Sequence, residues 1–128
     1  MNKRIEAFEI VSYLKSVSLI SSLTILSIDE VSERSVLRIR CNLLPSNHHL
    51  DIRLIQTENE TVYSYQLYTD HPLTRWDNAP HFPEILTFPH HYHNLKGEVE
   101  TSALKGVVLD DLAIVLKNIK DILISDEI

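Results

Sequence analysis

Between residues 3 and 15 the apolar positions Ile5, Phe8, Val11 and Leu14 fall at helical spacing, which predicts an amphipathic helix with Asn2 as its N-cap. From Leu19 the period changes. A β-rich run over 23–28 ends at Asp29-Glu30. Residues 35–41 alternate, with Leu37, Ile39 and Cys41 on one face and Val36, Arg38 and Arg40 on the other. After a turn at Pro45-Ser46-Asn47, residues 49–55 alternate again, Leu50, Ile52 and Leu54 against Asp51, Arg53 and Ile55. Glu58-Asn59-Glu60 is a second turn, and 61–69 reads as a tyrosine-rich strand with Tyr63 and Tyr65 on one face and Tyr68 on the other. Short connections pair neighbouring strands antiparallel. From 110 to 124, Leu112, Val115, Leu116, Ile119, Ile122 and Leu123 line one face of a second helix. The predicted fold class is α+β: a four- to five-stranded antiparallel meander sheet with the N- and C-terminal helices packed on one face, in a single domain over 1–128.

Composition narrows the function more than the fold. The 128 residues are 44% hydrophobic and 23% charged, a globular balance. Two glycines exclude a Gly-rich phosphate loop, and one cysteine, Cys41, excludes an internal disulfide or a Cys-built zinc site. Cys41 shares a face with Leu37 and Ile39 and reads as core. The N-terminus leads into a charged amphipathic stretch rather than an apolar signal core, and no run of 18 apolar residues occurs. The expectation is a cytoplasmic protein without membrane contact. A formal charge of −6 argues against non-specific wrapping of nucleic acid and suits a basic partner.

The segment 70–94 carries the candidate chemistry. It holds four of the five prolines and five of the seven histidines, and it reads as irregular because proline at this density breaks helices and is poorly tolerated in a central strand. Histidine exchanges protons near neutral pH, two histidines around a phosphate serve as base and acid, and an arginine clamps the phosphate. These are the parts of metal-independent RNA cleavage with the 2′-hydroxyl as nucleophile. Arg75 is the expected clamp, His81 and His91 the base and acid in unassigned order, His90 or His93 the support, and Asp77 or Asn78 the group that orients an imidazole. No cofactor is expected. The alternative is a zinc or nickel site on His81, His91 and His93, in a metal-binding regulator. A further alternative is a non-enzymatic interaction module acting on a basic partner.

The sheet offers a second surface. Arg38, Arg40 and Arg53 point away from the apolar stripe, and together with Tyr65 they are candidates to stack on and clamp single-stranded RNA. The apolar stripe of the C-terminal helix reads as core, with a homodimer or partner contact as the other use.

The string Asp77-Asn78-Ala79-Pro80-His81, followed by Thr87-Phe88-Pro89-His90-His91 and His93, resembles the signature of the TumE family; Tyr63-Ser64-Tyr65 and Arg75 fit it as well. The likeness covers roughly residues 35–94, with the terminal helices matching by pattern only. The chain departs from it at Phe82, where a second histidine is expected, and at Trp76, where a smaller aromatic is common. The resemblance implies the toxin of a two-gene toxin–antitoxin module, a helix-turn-helix antitoxin as partner, and an action on RNA or translation.

Overall fold

A computed structural model describes residues 4–44 and 47–125. Asn2 and the Pro45-Ser46 half of the predicted turn lie outside them. Seven strands form one sheet in the order β1 to β7, every neighbouring pair antiparallel. They are β1 (Ile20–Glu30), β2 (Arg34–Leu43), β3 (His49–Thr57), β4 (Thr61–Tyr68), β5 (Pro72–Asp77), β6 (His91–His93) and β7 (Val99–Thr101), between α1 (Ala7–Lys15) and α2 (Val108–Ser125). The meander and both helices match expectation. The strand count does not, because three strands lie beyond the alternating runs.

The correction falls on segment 70–94, which is not irregular throughout. Pro72 opens β5 as its first residue, a place where the missing N–H is tolerated, so the strand runs on through the middle of the sheet to Asp77. Strands β6 and β7 are three residues each, too short to show a period. Only residues 78–90 remain as a long connection. Asn78 pins its start: the side-chain carbonyl accepts the Tyr63 N–H at 3.0 Å and the amide donates to the Thr61 carbonyl at 2.7 Å.

Helix α1 begins later than its apolar spacing predicts. The buried Gln56 amide accepts the Ile5 N–H at 3.1 Å and donates to the Ile5 carbonyl at 3.0 Å, holding Ile5 in a strand-like partnership outside the helix. The Glu9 carboxylate accepts the Glu6 N–H at the helix start.

One face of the sheet meets both helices. Leu37, Ile39, Cys41, Leu50, Ile52, Leu54, Tyr63, Tyr65, Leu67 and Trp76 form a single buried cluster with Ile10 and Leu14 of α1 and Leu112, Val115 and Ile119 of α2. Burial pushes the Cys41 thiol up to about 12, which removes it as a nucleophile.

The opposite, outer face is set by the same registers. One cross-strand row runs Arg38, Arg53, Ser64, Asp77, His91, and the next runs Arg40, Asp51, Gln66, Arg75, His93. The arginines of the early strands and the Arg/Asp/His residues of the late ones therefore stand on one surface.

Candidate active site

Two residues apart on β5, Arg75 and Asp77 share the outer face, and His93 and His91 stand directly opposite them on β6. Asp77 is the hub. Its Oδ2 accepts the Arg75 Nε–H at 2.8 Å and lies 3.6 Å from His93 Nε2. Its Oδ1 accepts the Ala79 N–H at 3.0 Å and lies 2.9 Å from His91 Nε2. The other His91 nitrogen, Nδ1, is 3.1 Å from the Pro89 carbonyl. Both ring nitrogens of His91 thus face oxygens, and the residue is 2% exposed.

His93 differs. Its Nε2 accepts from Arg75 Nη2 at 3.0 Å, an acceptor role that leaves its proton on Nδ1. Burial first, and the Arg75 guanidinium second, hold its pKa below the ordinary histidine value, with Asp77 opposing them. The ring is neutral near pH 7. The Phe82 ring covers the pair edge-on, its centroid 4.8 Å from that of His91 and 5.9 Å from that of His93. A depression of about 390 Å³ opens on Arg75 and His93, with Gln66 and Lys96 also on its wall. From inside to outside the order is His91, Asp77, His93, Arg75.

The expected cluster is therefore assembled in part. Arg75, Asp77, His91 and His93 converge. His91 is sealed, so it positions Asp77 and cannot reach a substrate. His81 is exposed, and among the described residues its side chain makes no hydrogen bond, ion pair or ring contact with the cluster. His90 points to the helix side of the sheet, where its Nδ1 lies 2.8 Å from the Tyr63 hydroxyl and its ring stacks on Tyr63. Asn78 serves the β4 backbone rather than an imidazole. Among the described residues, the potential metal-ligating atoms that come within 4.8 Å of one another belong to Asp77, His91 and His93, with Asp77 in the place expected for His81. Arg75 already occupies the Asp77 and His93 atoms that would hold an ion.

The outer face keeps three of its four expected members. Arg38, Arg40 and Arg53 are exposed on it. Tyr65 is not: it lies on the helix face with no exposure, stacked on Tyr63 at 4.9 Å, so no base can reach its ring. Phe82 as a cover, and Gln66 and Lys96 beside the depression, carry no motif that the sequence could signal.

The antiparallel sheet of this α+β fold thus presents an Arg/Asp/His cluster on its open face. Residues 10–123 match the family described as Toxin TumE, and the chain belongs to that family. No curated protein and no solved structure matches. The family assigns a toxin role and, with it, an antitoxin partner in general. Among the described residues no helix is long and apolar enough to cross a membrane.

Proposed function

We propose that this toxin cleaves RNA by metal-independent transesterification at the Arg75–His93 depression. The observation that carries the reading is the bond from Arg75 Nη2 to His93 Nε2, because it stores a base behind a phosphate ligand. A backbone phosphate entering the depression draws the guanidinium Nη2 onto its own oxygens. Arg75 stays aimed through its Nε bond to Asp77, and the His93 Nε2 lone pair is freed at the phosphate. His93 then takes the proton of the 2′-hydroxyl, and the 2′-oxygen attacks phosphorus. Arg75 stabilises the extra charge of the pentacoordinate phosphorus. The bond from phosphorus to the 5′-oxygen breaks, leaving a 2′,3′-cyclic phosphate. The departing oxygen takes its proton from solvent, since the exposed His81 is not bonded into the cluster. Asp77 and His91 are positioning residues.

Purified protein is incubated with single-stranded RNA, and the ends of the fragments are analysed. Wild type is expected to yield cyclic phosphate ends, and His93→Gln and Arg75→Gln each to lose roughly 10²-fold or more in rate. Equal cleavage by His93→Gln, or no cleavage by wild type, overturns the reading. The partner is proposed to be a helix-turn-helix antitoxin, which a short DNA-binding reading frame beside the gene would support.

A further inference from the structure

Arg38 on β2 and Arg53 on β3 are direct cross-strand partners on the outer face. Two like charges in that relation repel, with Cβ atoms about 5 Å apart, and a sheet that keeps them pays in stability. Among the described residues neither arginine makes an ion pair or a side-chain hydrogen bond.

The surrounding groups do not relieve the repulsion. Ser27 and Ser64 flank the pair along its row. Val36 and Ile55 stand on one side of it, and Arg40 with Asp51 on the other. Asp51 is already engaged: it accepts from Arg40 Nε and Nη2 at 3.0 and 3.1 Å and from the Tyr68 hydroxyl at 2.8 Å. Asp29 on β1 is paired with Val36, diagonal to Arg38, and among the described residues it forms no ion pair. Arg40 is thus neutralised locally, while among the described residues Arg38 and Arg53 are left as a double positive charge without an ion-paired partner.

The pair is also in line with the depression. Arg53 and Arg75 are two strands and one side-chain step apart, roughly 12 Å between their Cα atoms from standard strand geometry. The outward residues of β4 between them, Ser64 and Gln66, are polar and uncharged, a floor that can hydrogen-bond ribose and phosphate without repelling it.

We infer that Arg38 and Arg53 form a second phosphate subsite, which holds the backbone of single-stranded RNA a short way along the chain from the phosphate at Arg75. The inference rests on the RNA reading of the outer face, but its test does not require cleavage. The polyanion takes the place of the missing counter-ion, so binding relieves a repulsion built into the free protein.

The test uses the full chain and a labelled, 2′-O-methylated single-stranded oligoribonucleotide of about a dozen nucleotides, which lacks the attacking hydroxyl. Affinity is measured by anisotropy across a salt series. The double variant Arg38→Gln/Arg53→Gln is expected to bind roughly tenfold more weakly at about 0.1 M salt. Its log–log salt slope should be shallower by about 0.7 for each phosphate it no longer neutralises. Its thermal midpoint should match or exceed that of wild type, because the repulsion is gone. Arg38→Lys/Arg53→Lys should keep the wild-type slope. An unchanged slope in the glutamine variant, or an equally weakened slope in the lysine variant, overturns the subsite. Wild-type binding with the expected slopes but no cleavage of unmodified RNA would overturn the catalytic proposal and leave the subsite standing.

Discussion

His91 Nε2 lies 2.9 Å from Asp77 Oδ1, and the two residues are directly opposed on β5 and β6. Strand pairing itself therefore holds the imidazole on the carboxylate. Because the second His91 nitrogen meets the Pro89 carbonyl, the ring is a fixed strut between the start and the end of the 78–90 connection. The proposed phosphate site lies on the other oxygen of the same carboxylate, where Arg75 and His93 meet the depression.

Asp77→Asn should disable the toxin and weaken the fold together. The amide cannot accept at both positions from Arg75, His91 and Ala79, and it leaves the buried His91 nitrogen facing a neutral group. Leaving a buried polar group without its hydrogen-bond partner costs about 1–3 kcal/mol. Chemical denaturation should show a decrease of that order, and growth arrest on expression should disappear. His91→Gln should lower stability in the same direction, yet retain more cleavage per folded molecule than His93→Gln, because His91 has no path to substrate.

Phe82→Ala should move the acid limb of the activity profile to higher pH. Desolvation is the largest cause of the lowered His93 pKa, and Phe82 is the ring that covers the site. A depressed pKa keeps the base form available at pH values where an ordinary histidine is protonated. Uncovering the ring raises the pKa toward about 6.5, so activity should fall off earlier on acidification. Titrating the His93 ring protons by NMR in both proteins reads the shift directly; an unchanged midpoint would assign the desolvation to other groups.

The parts of this structure that were legible in the sequence are those where side-chain alternation reports burial. Leu37, Ile39 and Cys41, paired with Leu54, Ile52 and Leu50, are buried as the period of two requires. The pairing of β5 with β6 was not legible, because three residues of β6 cannot display a period and because Pro72 reads as a break until it is seen to be the first residue of its strand. The site followed the same division. The His91-x-His93 spacing places both rings on one face, and Arg75-x-Asp77 does so on the facing strand. Which histidine is sealed and which is open depends on where Phe82 and the Pro89 carbonyl land, and that is fixed by the path of residues 78–90. Tyr65 was misplaced for a simpler reason: tyrosine at an alternating position suits a half-wet face and a core equally well, and here α2 covers the face it occupies.

Stability should fall through His90 on acidification from about pH 7.5 to about 5.5, the range that brackets an ordinary histidine pKa. Burial, the largest cause, holds the His90 pKa below the ordinary value, with Asp111 opposing and His91 adding to the depression. The unfolded chain then binds a proton at a higher pH than the folded one, so acidification through the unfolded value favours unfolding; the stabilisation is fully present above that value and is lost as pH drops toward the folded one. His90→Gln keeps an acceptor for the Tyr63 hydroxyl and removes the titration. Its thermal midpoint should decline less over the same interval, and an identical decline would place the pH sensitivity elsewhere.

Arg75→Ala should turn the cluster into a metal site. Asp77, His91 and His93 each offer a ligand atom within 4.8 Å of the others, a two-histidine, one-carboxylate set suited to zinc or nickel. In the wild type the guanidinium lies 2.8 Å from Asp77 Oδ2 and 3.0 Å from His93 Nε2, so a cation already occupies the place where an ion would sit, and a second cation is repelled. Removing it frees two of the three ligand atoms. Added zinc should therefore raise the thermal midpoint of the tag-free Arg75→Ala variant by several degrees and leave that of the wild type within error. A zinc shift of equal size in both proteins would mean that Arg75 yields its place readily, and metal-assisted chemistry would then replace the arginine clamp as the working hypothesis.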